Sequence, residues 1–549
     1  MLNIDFLKQK LKSNWAIILL FVVVGFSLYG NTLNNELFWD DDQFILQNQY
    51  IKDWQHFPKF FSENLIAGAG QASDYWRPAL LTVFAIEWHL WGPSEFGFHL
   101  TNILFHVADA LLLFYVLQKL FSKKSLSLFV CLIFLIHPLQ TEAVSYANSL
   151  GDSLSVFFMF ASILLYLNFR SKQVPITESY SFYGSIVCFI LALLSKETAI
   201  ILPGLLILCD FVFSKTQNRN SNLKSLISDL WPFFATALAY IILRATALNF
   251  VNTFNLYNEQ NIFTSSIFVR IFTFFRILTE YVSLIFWPQI LHMERSVQVA
   301  TNLFAMDVML GAGIFLLLIT IAVASIKKNP LLSFGVFWFF IGLALTSNIL
   351  VPINGLLYEH WLYLPIIGMA IVVFWLGQRL SYHLPSISKA WPIIAILVFI
   401  PMSARTIARN NDWDNSIRFY TQVLEHSPNS YRVTNNLGME MAERGIHDQA
   451  IFIYYKAIVL DDKNPVAYHN LANSYRDTKK TDLAIQYYNK ALELDPEFYY
   501  TYGALANVYI NAKEYDKAIA TLREYVKYFP SGKEEIELIV SKLEKEKAK

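Results

Sequence analysis

The sequence predicts an all-α protein in two parts, a bundle of about eleven membrane spans followed by a helical solenoid. Three observations predict it. The 549 residues are 55% hydrophobic and only 16% charged, where soluble domains carry about 25% charged residues; mean hydropathy is +0.38. Apolar runs of span length recur as far as about residue 404. Beyond it the chain turns polar and a helical repeat sets in, so the expected domains are 1–404 and 405–549. The net charge of +0 offers no basic face for nucleic acid. Cys131, Cys188 and Cys209 all lie in apolar runs and read as small core residues, neither a disulfide frame nor a metal cluster.

Taken in order, Lys8, Lys10 and Lys12 precede an apolar run from Trp15 to about Leu33. The positive flank places the N-terminus in the cytoplasm, and the many later spans argue against a cleaved signal peptide. The next polar stretch then falls outside. It opens with Asp40-Asp41-Asp42, whose like charges cannot all ionise independently, so a pKa rises or a cation sits nearby. Residues 34–97 also hold Trp76-Arg77-Pro78 and an amphipathic stretch, Ala79–Trp91, expected to lie along the interface. Spans follow at about 98–120, 125–136, 154–169, 182–194, 199–213 and 230–248. Lys119, Lys123, Lys124, Arg170, Lys172, Lys215, Arg219 and Lys224 mark their inner ends. Residues 264–288 are apolar but interrupted by Arg270, Arg276 and Glu280. If they cross, Lys327-Lys328 lands outside, against the positive-inside bias; they are therefore expected to lie on or dip into the outer face. Spans at 303–326, 331–350, 357–377 and 391–404 complete the bundle and leave the C-terminus outside.

This topology gathers Asp40–Asp42, Arg77, His137, Glu142, Asp152, Lys196-Glu197 and Glu359-His360 at the outer ends of spans. Each alone reads as an anchor at the membrane edge. Acids converging with Arg and Lys on one face suit an anionic lipid substrate. A cation would hold its phosphate, and a carboxylate would deprotonate an acceptor hydroxyl.

In the polar part, Leu437, Leu471 and Leu505 are in phase, as are Gly438, Ala472 and Ala506, and Ala450, Ala484 and Ala518. Pro428, Asp462, Pro496 and Pro530 close the units. Small residues let paired helices approach and prolines end them, which is the tetratricopeptide pattern. Three repeats follow a leading half-repeat, Asp412–Ser427, and Lys533–Lys549 reads as a capping helix. Such solenoids offer a concave face to a protein or peptide partner. Of Tyr454, Tyr455, Tyr487 and Tyr488, half are expected in the core and half in a groove.

Together these pieces resemble bacterial relatives of the transmembrane and tetratricopeptide-repeat-containing O-mannosyltransferase family, whose fold is the GT-C glycosyltransferase type. The stretches that carry the resemblance are Phe38–Asn48, Arg77-Pro78, Phe98-His99-Leu100-Thr101-Asn102, His137-Pro138 with Thr141-Glu142, Gly151-Asp152, Ser195-Lys196-Glu197, and Glu359 before Tyr363-Leu364-Pro365. The resemblance implies sugar transfer from a polyprenyl-phosphate-linked donor to a protein or glycan acceptor hydroxyl outside the cytoplasm. It implies Asp40 and Asp41 as the catalytic acidic pair and Arg77 and Lys196 as holders of the lipid phosphate. His137, Glu142, Asp152, Glu197, Glu359 and His360 are the remaining candidates for substrate binding. It implies no metal and no organic cofactor, although the acids are compatible with a divalent cation. The chain departs from the family where Leu150-Gly151 stands before Asp152 and His360-Trp361 follows Glu359, two places where relatives often carry Arg. Lean loops point to a bacterial inner membrane. A non-enzymatic scaffold that recruits partners through its repeats is the alternative. A transporter would call for charged midspan residues and an inverted repeat.

Overall fold

The computed structural model describes residues 14–172, 174–216, 223–251, 261–295, 297–353 and 355–548. Lys8, Lys10, Lys12 and Arg219, expected to mark the inner face, lie outside them. Among the described residues every regular element is helical. The chain divides into two compact units, Met1–Asn415 and Ser416–Lys549. The helix that carries residue 404 runs on without a break to Asn410.

The first unit contains α1 (Asn14–Tyr29), α2 (Pro78–Trp91), α3 (Glu95–Phe121), α4 (Lys124–Ile136), α5 (Thr141–Ser145), α6 (Leu150–Lys172), α7 (Tyr180–Ser195) and α8 (Leu202–Thr216). It continues with α9 (Leu223–Ala245), α10 (Ile262–Ser265), α11 (Ile267–Phe286), α12 (Met306–Ser325), α13 (Pro330–Leu343), α14 (Ile366–His383) and α15 (Pro385–Asn410). One apolar core joins Phe21 of α1, Leu117 of α3, Phe134 of α4, Phe160 of α6, Leu205 of α8, Trp338 of α13 and Ile371 of α14.

By length and composition, seven helical stretches among the described residues can cross a membrane, not eleven. The number is eight if α4 and the residues 138–145, bent by 56°, count as one crossing. The bend falls at His137-Pro138, where the proline supplies no amide donor. The excess arose because apolar composition outruns helix. Run 331–350 is helical only to Leu343, and run 182–194 lies in a helix of 16 residues. Both fall short of the roughly 20 residues a bilayer needs. The amphipathic stretch is helix α2, which buries Leu80, Leu81, Phe84 and Glu87 in protein and leaves Ile86 and Leu90 exposed.

Basic side chains collect where helices end together. Lys119 at the end of α3 donates to Ser171 at the end of α6 (3.4 Å). Lys215 at the end of α8 donates to the carbonyls of Ile326 (3.0 Å) and Lys327 (2.6 Å), between α12 and α13.

The second unit is a run of helices, α16 (Ser416–His426), α17 (Tyr431–Glu443), α18 (His447–Leu460), α19 (Pro465–Asp477), α20 (Thr481–Leu494), α21 (Tyr500–Asn511), α22 (Tyr515–Tyr528) and α23 (Lys533–Lys547). Ala450, Ala484 and Ala518 are fully buried at the helix crossings. A Cβ on Gly438 would meet the Tyr454 ring at 2.5 Å, so the first pair closes only around glycine. Tyr454 and Tyr488 are core. Tyr455 faces outward and its hydroxyl bonds to those of Tyr475 (2.9 Å) and Tyr487 (2.7 Å). The turns inside the three pairs place Gly445, Lys479 and Lys513 at φ of 75°, 62° and 60°. That left-handed region suits glycine, and two of the three turns use lysine instead.

Candidate functional site

The site grows from the segment after α1. Trp39 takes a φ of 64°, a conformation a bulky residue adopts only when its surroundings hold it there. Its ring stacks on Tyr146 (centroids 6.1 Å apart, 28°), and Tyr146 stacks on Trp413 (5.2 Å, 24°). The turn at Trp39 sends the two following acids different ways. Asp41 is 1% exposed. Its Oδ1 accepts from the amide of Asn148 (2.9 Å) and its Oδ2 from that of Phe38 (3.3 Å), so it ties the segment to the turn before α6. Burial pushes its carboxyl well above the usual carboxylate range; the two amides oppose this, and Asp40 and Asp42 add to it. Asp40 is half-buried. It shares its surroundings with the phenols of Tyr146 and Tyr75, and Tyr75 in turn lies in the field of Arg77 and Glu197.

Arg77 stands immediately before α2, where Pro78 opens the helix. Its guanidinium reaches Glu197 through Nε (3.0 Å) and Nη2 (2.6 Å), the forked geometry that arginine alone provides. Tyr75 lies against its other face, 4.5 Å from ring centroid to Cζ. Burial pulls the guanidinium pKa down, and Glu197 more than offsets it, so Arg77 stays charged. The neighbouring Lys196, in extended backbone, donates to both oxygens of Asp152 at 2.7 Å. Asp152 lies in the first turn of α6, where the helix dipole favours an acid. Adjacent residues 196 and 197 thus hold two cation–acid pairs side by side. A Cβ at Gly151 would lie 3.4 Å from Leu80, 3.5 Å from the Ser195 carbonyl and 3.9 Å from Arg77 Nη1. A long side chain there would have to displace these neighbours, and the cation that meets Asp152 is Lys196.

A second cluster forms around Glu359. Its Oε1 accepts from the His292 amide (2.7 Å) and Arg295 (3.0 Å), and its Oε2 faces Arg409 (3.5 Å), which also pairs with Asp412 (3.1 Å). Burial raises the Glu359 carboxyl, Arg409 and Arg295 lower it, and Glu142 raises it further. Glu142 receives both the ring Nδ1 of His360 (2.7 Å) and its amide (3.1 Å). His137 stands apart from both clusters. Its Nδ1 accepts from the Leu139 amide (3.2 Å) and its Nε2 bonds the Ile285 carbonyl (2.9 Å), which makes it a cap at the bend.

One stretch of chain threads the whole site. Glu142 meets His360, Tyr146 lies between Trp39 and Trp413, the Asn148 amide meets Asp41, and Asp152 meets Lys196. Nine of the ten expected residues therefore fall into this connected arrangement. Arg295 and Arg409 were not among them. They supply arginines beside Glu359 from outside the Glu359–Pro365 stretch, and no local motif marks them. A buried polar group inside α3 carries no motif in the sequence: Tyr363 donates to Asp109 (2.7 Å) and its hydroxyl meets His106 Nδ1 (2.9 Å). Among the described residues no three His, Cys, Asp or Glu side chains are grouped so as to hold a metal ion.

Residues 465–498 and 487–520 match two tetratricopeptide-repeat families. Over most of its length the chain is similar to curated proteins named protein O-mannosyl-transferase. It is 23% identical to F38B6.6 of Caenorhabditis elegans, over 80% of this chain and 62% of the relative. It is 24% identical to TMTC3 of Homo sapiens, over 84% of this chain and 53% of the relative. The chain thus spans little more than half the length of the curated relatives it matches. Among solved structures, ArnT from Cupriavidus metallidurans in the apo state aligns with a TM-score of 0.43 and 14% identity, over 87% of this chain and 76% of the other. The resemblance carried by the sequence motifs and the repeats is borne out by these relatives: this is a multi-pass membrane chain with trailing tetratricopeptide repeats, similar to the protein O-mannosyl-transferases.

Proposed function

We propose that this chain is a membrane glycosyltransferase that moves a sugar from a polyprenyl-phosphate-linked donor to a hydroxyl of a protein or glycan acceptor. The observation that carries the reading is Asp40, a half-buried acid beside the Tyr75 phenol, which also lies in the field of Arg77, itself next to the buried Lys196–Asp152 pair through the adjacent Glu197. Asp40 takes the proton of the acceptor hydroxyl. The acceptor oxygen then bonds to the anomeric carbon as the bond from that carbon to the phosphate oxygen breaks. The electron pair leaves with the polyprenyl phosphate, and the anomeric configuration inverts. Arg77 and Lys196 stabilise the phosphate charge that develops. Of their two partners Glu197 is the more exposed, at 37% of its side chain against 11% for Asp152, and is the one the phosphate displaces. Asp41 holds the segment that presents Asp40.

In this reading the basic helix ends, with Lys119, Lys172 and Lys215, face the cytoplasm of a bacterial inner membrane. The site and the repeat unit lie on the other side, and the repeats bind the acceptor protein or a partner. One observation favours a scaffold without catalysis: both cations are already matched by carboxylates. Purified chain in liposomes with polyprenyl-phosphate mannose and an acceptor peptide separates the two. Release of polyprenyl phosphate with sugar on the peptide supports transfer. Peptide binding without release, across several donor sugars, supports the scaffold.

A further inference from the structure

A groove runs between α8 and α13, away from the site described above. Gly204, Ile207 and Phe211 line it from one face of α8, and Pro330, Phe337 and Ile341 from one face of α13. It encloses about 300 Å³. Its walls are almost wholly apolar, since the one hydroxyl in it, on Ser333, donates to the Ala322 carbonyl (2.7 Å). Ile207 and Phe211 are each 41% exposed, so the groove opens outward from the bundle. At one end a Cβ on Gly204 would touch Ile341 at 3.5 Å. From Gly204 to Val212 it follows α8 for about 12 Å at the rise of an α-helix.

The other end is marked by charge. Val212 and Ile326 line it, and one turn beyond Val212 stands Lys215, tied to the Ile326 and Lys327 carbonyls. Lys327 and Lys328 follow directly and are exposed. Among the described residues no carboxylate pairs with Lys215, Lys327 or Lys328. An apolar channel open to hydrocarbon, ending at three lysines without a protein counter-charge, is complementary to one kind of molecule. It fits an acyl chain carrying a phosphate at the depth of the headgroups.

We propose that this groove is a binding site for an anionic phospholipid of the surrounding leaflet, with one acyl chain between α8 and α13 and its phosphate at Lys215, Lys327 and Lys328. The site is independent of the transfer reaction, and its test reads lipid retention rather than activity. The full chain is purified in detergent, given equal amounts of phosphatidylglycerol and phosphatidylcholine, and examined by native mass spectrometry. Phosphatidylglycerol should be retained about tenfold over phosphatidylcholine. Lys215→Gln with Lys327→Gln and Lys328→Gln should bring the ratio to within about twofold of parity, and the three Lys→Arg changes should preserve it. Ile207→Trp, at an exposed position, should lower retention of both lipids by filling the channel.

Equal retention of the two lipids by the unchanged chain overturns the proposal. So does a preference that survives the triple Gln change. Competition by glycerol phosphate, which has the headgroup chemistry without a tail, overturns the role of the channel. Displacement by equimolar polyprenyl phosphate overturns the assignment to phospholipid.

Discussion

The two charged clusters of the membrane unit are built from the same residue types and differ in how their charge is shared. Around Arg77 and Lys196 each cation has one acid, and one member, Glu197, reaches solvent. Around Glu359 a single fully buried carboxylate faces two arginines, one of them, Arg409, also fully buried. The first arrangement can exchange an acid for an incoming anion. The second cannot give up its acid without leaving buried positive charge. The exposure of the acid thus separates a pair that an anion could open from one that burial holds shut.

The difference is sharpest under single substitutions. Glu359→Gln leaves Arg295 and Arg409 without their central counter-charge and should destabilise the chain by about 3–5 kcal/mol. Glu197→Gln also leaves a buried guanidinium, but at a partly exposed acid that solvent can replace, and should cost less, about 1–2 kcal/mol. Thermal unfolding in detergent measures both, and equal costs would dissolve the distinction. Arg77→Lys keeps the charge and loses the fork. We expect KM for the lipid-phosphate donor to rise about tenfold with a smaller change in kcat. An unchanged KM would remove Arg77 from donor binding.

The repeat unit offers a contrast. His469 packs against Tyr488 and bonds Thr501 Oγ1 (2.9 Å), and burial, helped by Arg476, pulls its pKa down to about 4. The unfolded chain binds that proton near 6.5, so between the two values the unfolded state holds more protons. Its contribution is whole above about 6.5, is lost as pH falls toward 4, and falls no further below. Hydrogen exchange in residues 465–511 should show about 2 kcal/mol less protection at pH 4 than at pH 7, and His469→Gln should flatten the dependence. The smallest expected effect is at the turns. Lys479→Gly relieves a left-handed lysine and should stabilise the repeat unit by about 0.5–1 kcal/mol, read by the same exchange experiment. Destabilisation would mean that the turn tolerates lysine without strain.

Much of this was legible in the sequence because it is written in local patterns. The phase of Ala450, Ala484 and Ala518 gave the solenoid, and the apolar runs gave the bundle. The number of crossings was not legible, because mean composition does not say where a helix stops: run 331–350 is apolar on average, yet turns begin after Leu343, just before Thr346-Ser347-Asn348. Nine of the ten expected site residues converge, since motifs at helix ends mark where chain segments meet. His137 does not join them, because a histidine before proline looks the same whether it caps a bend or binds a ligand. Arg295 and Arg409 were invisible because their partner, Glu359, lies 64 and 50 residues away. The division between Asp40 and Asp41 was equally hidden. Two identical adjacent acids differ only in what the folded chain places around them, here the Asn148 amide from 107 residues on.

That division is the centre of the account, and parallel transfer assays of Asp40→Asn and Asp41→Asn test it most directly. Asp40→Asn should lower kcat by about 10²–10⁴ with KM for the donor little changed, the loss expected of a missing general base. Asp41→Asn keeps an acceptor for one amide but turns a donor toward the other, so it should lower thermal stability while transfer falls by about tenfold or less. Transfer that survives Asp40→Asn and vanishes with Asp41→Asn in a folded chain would contradict the account.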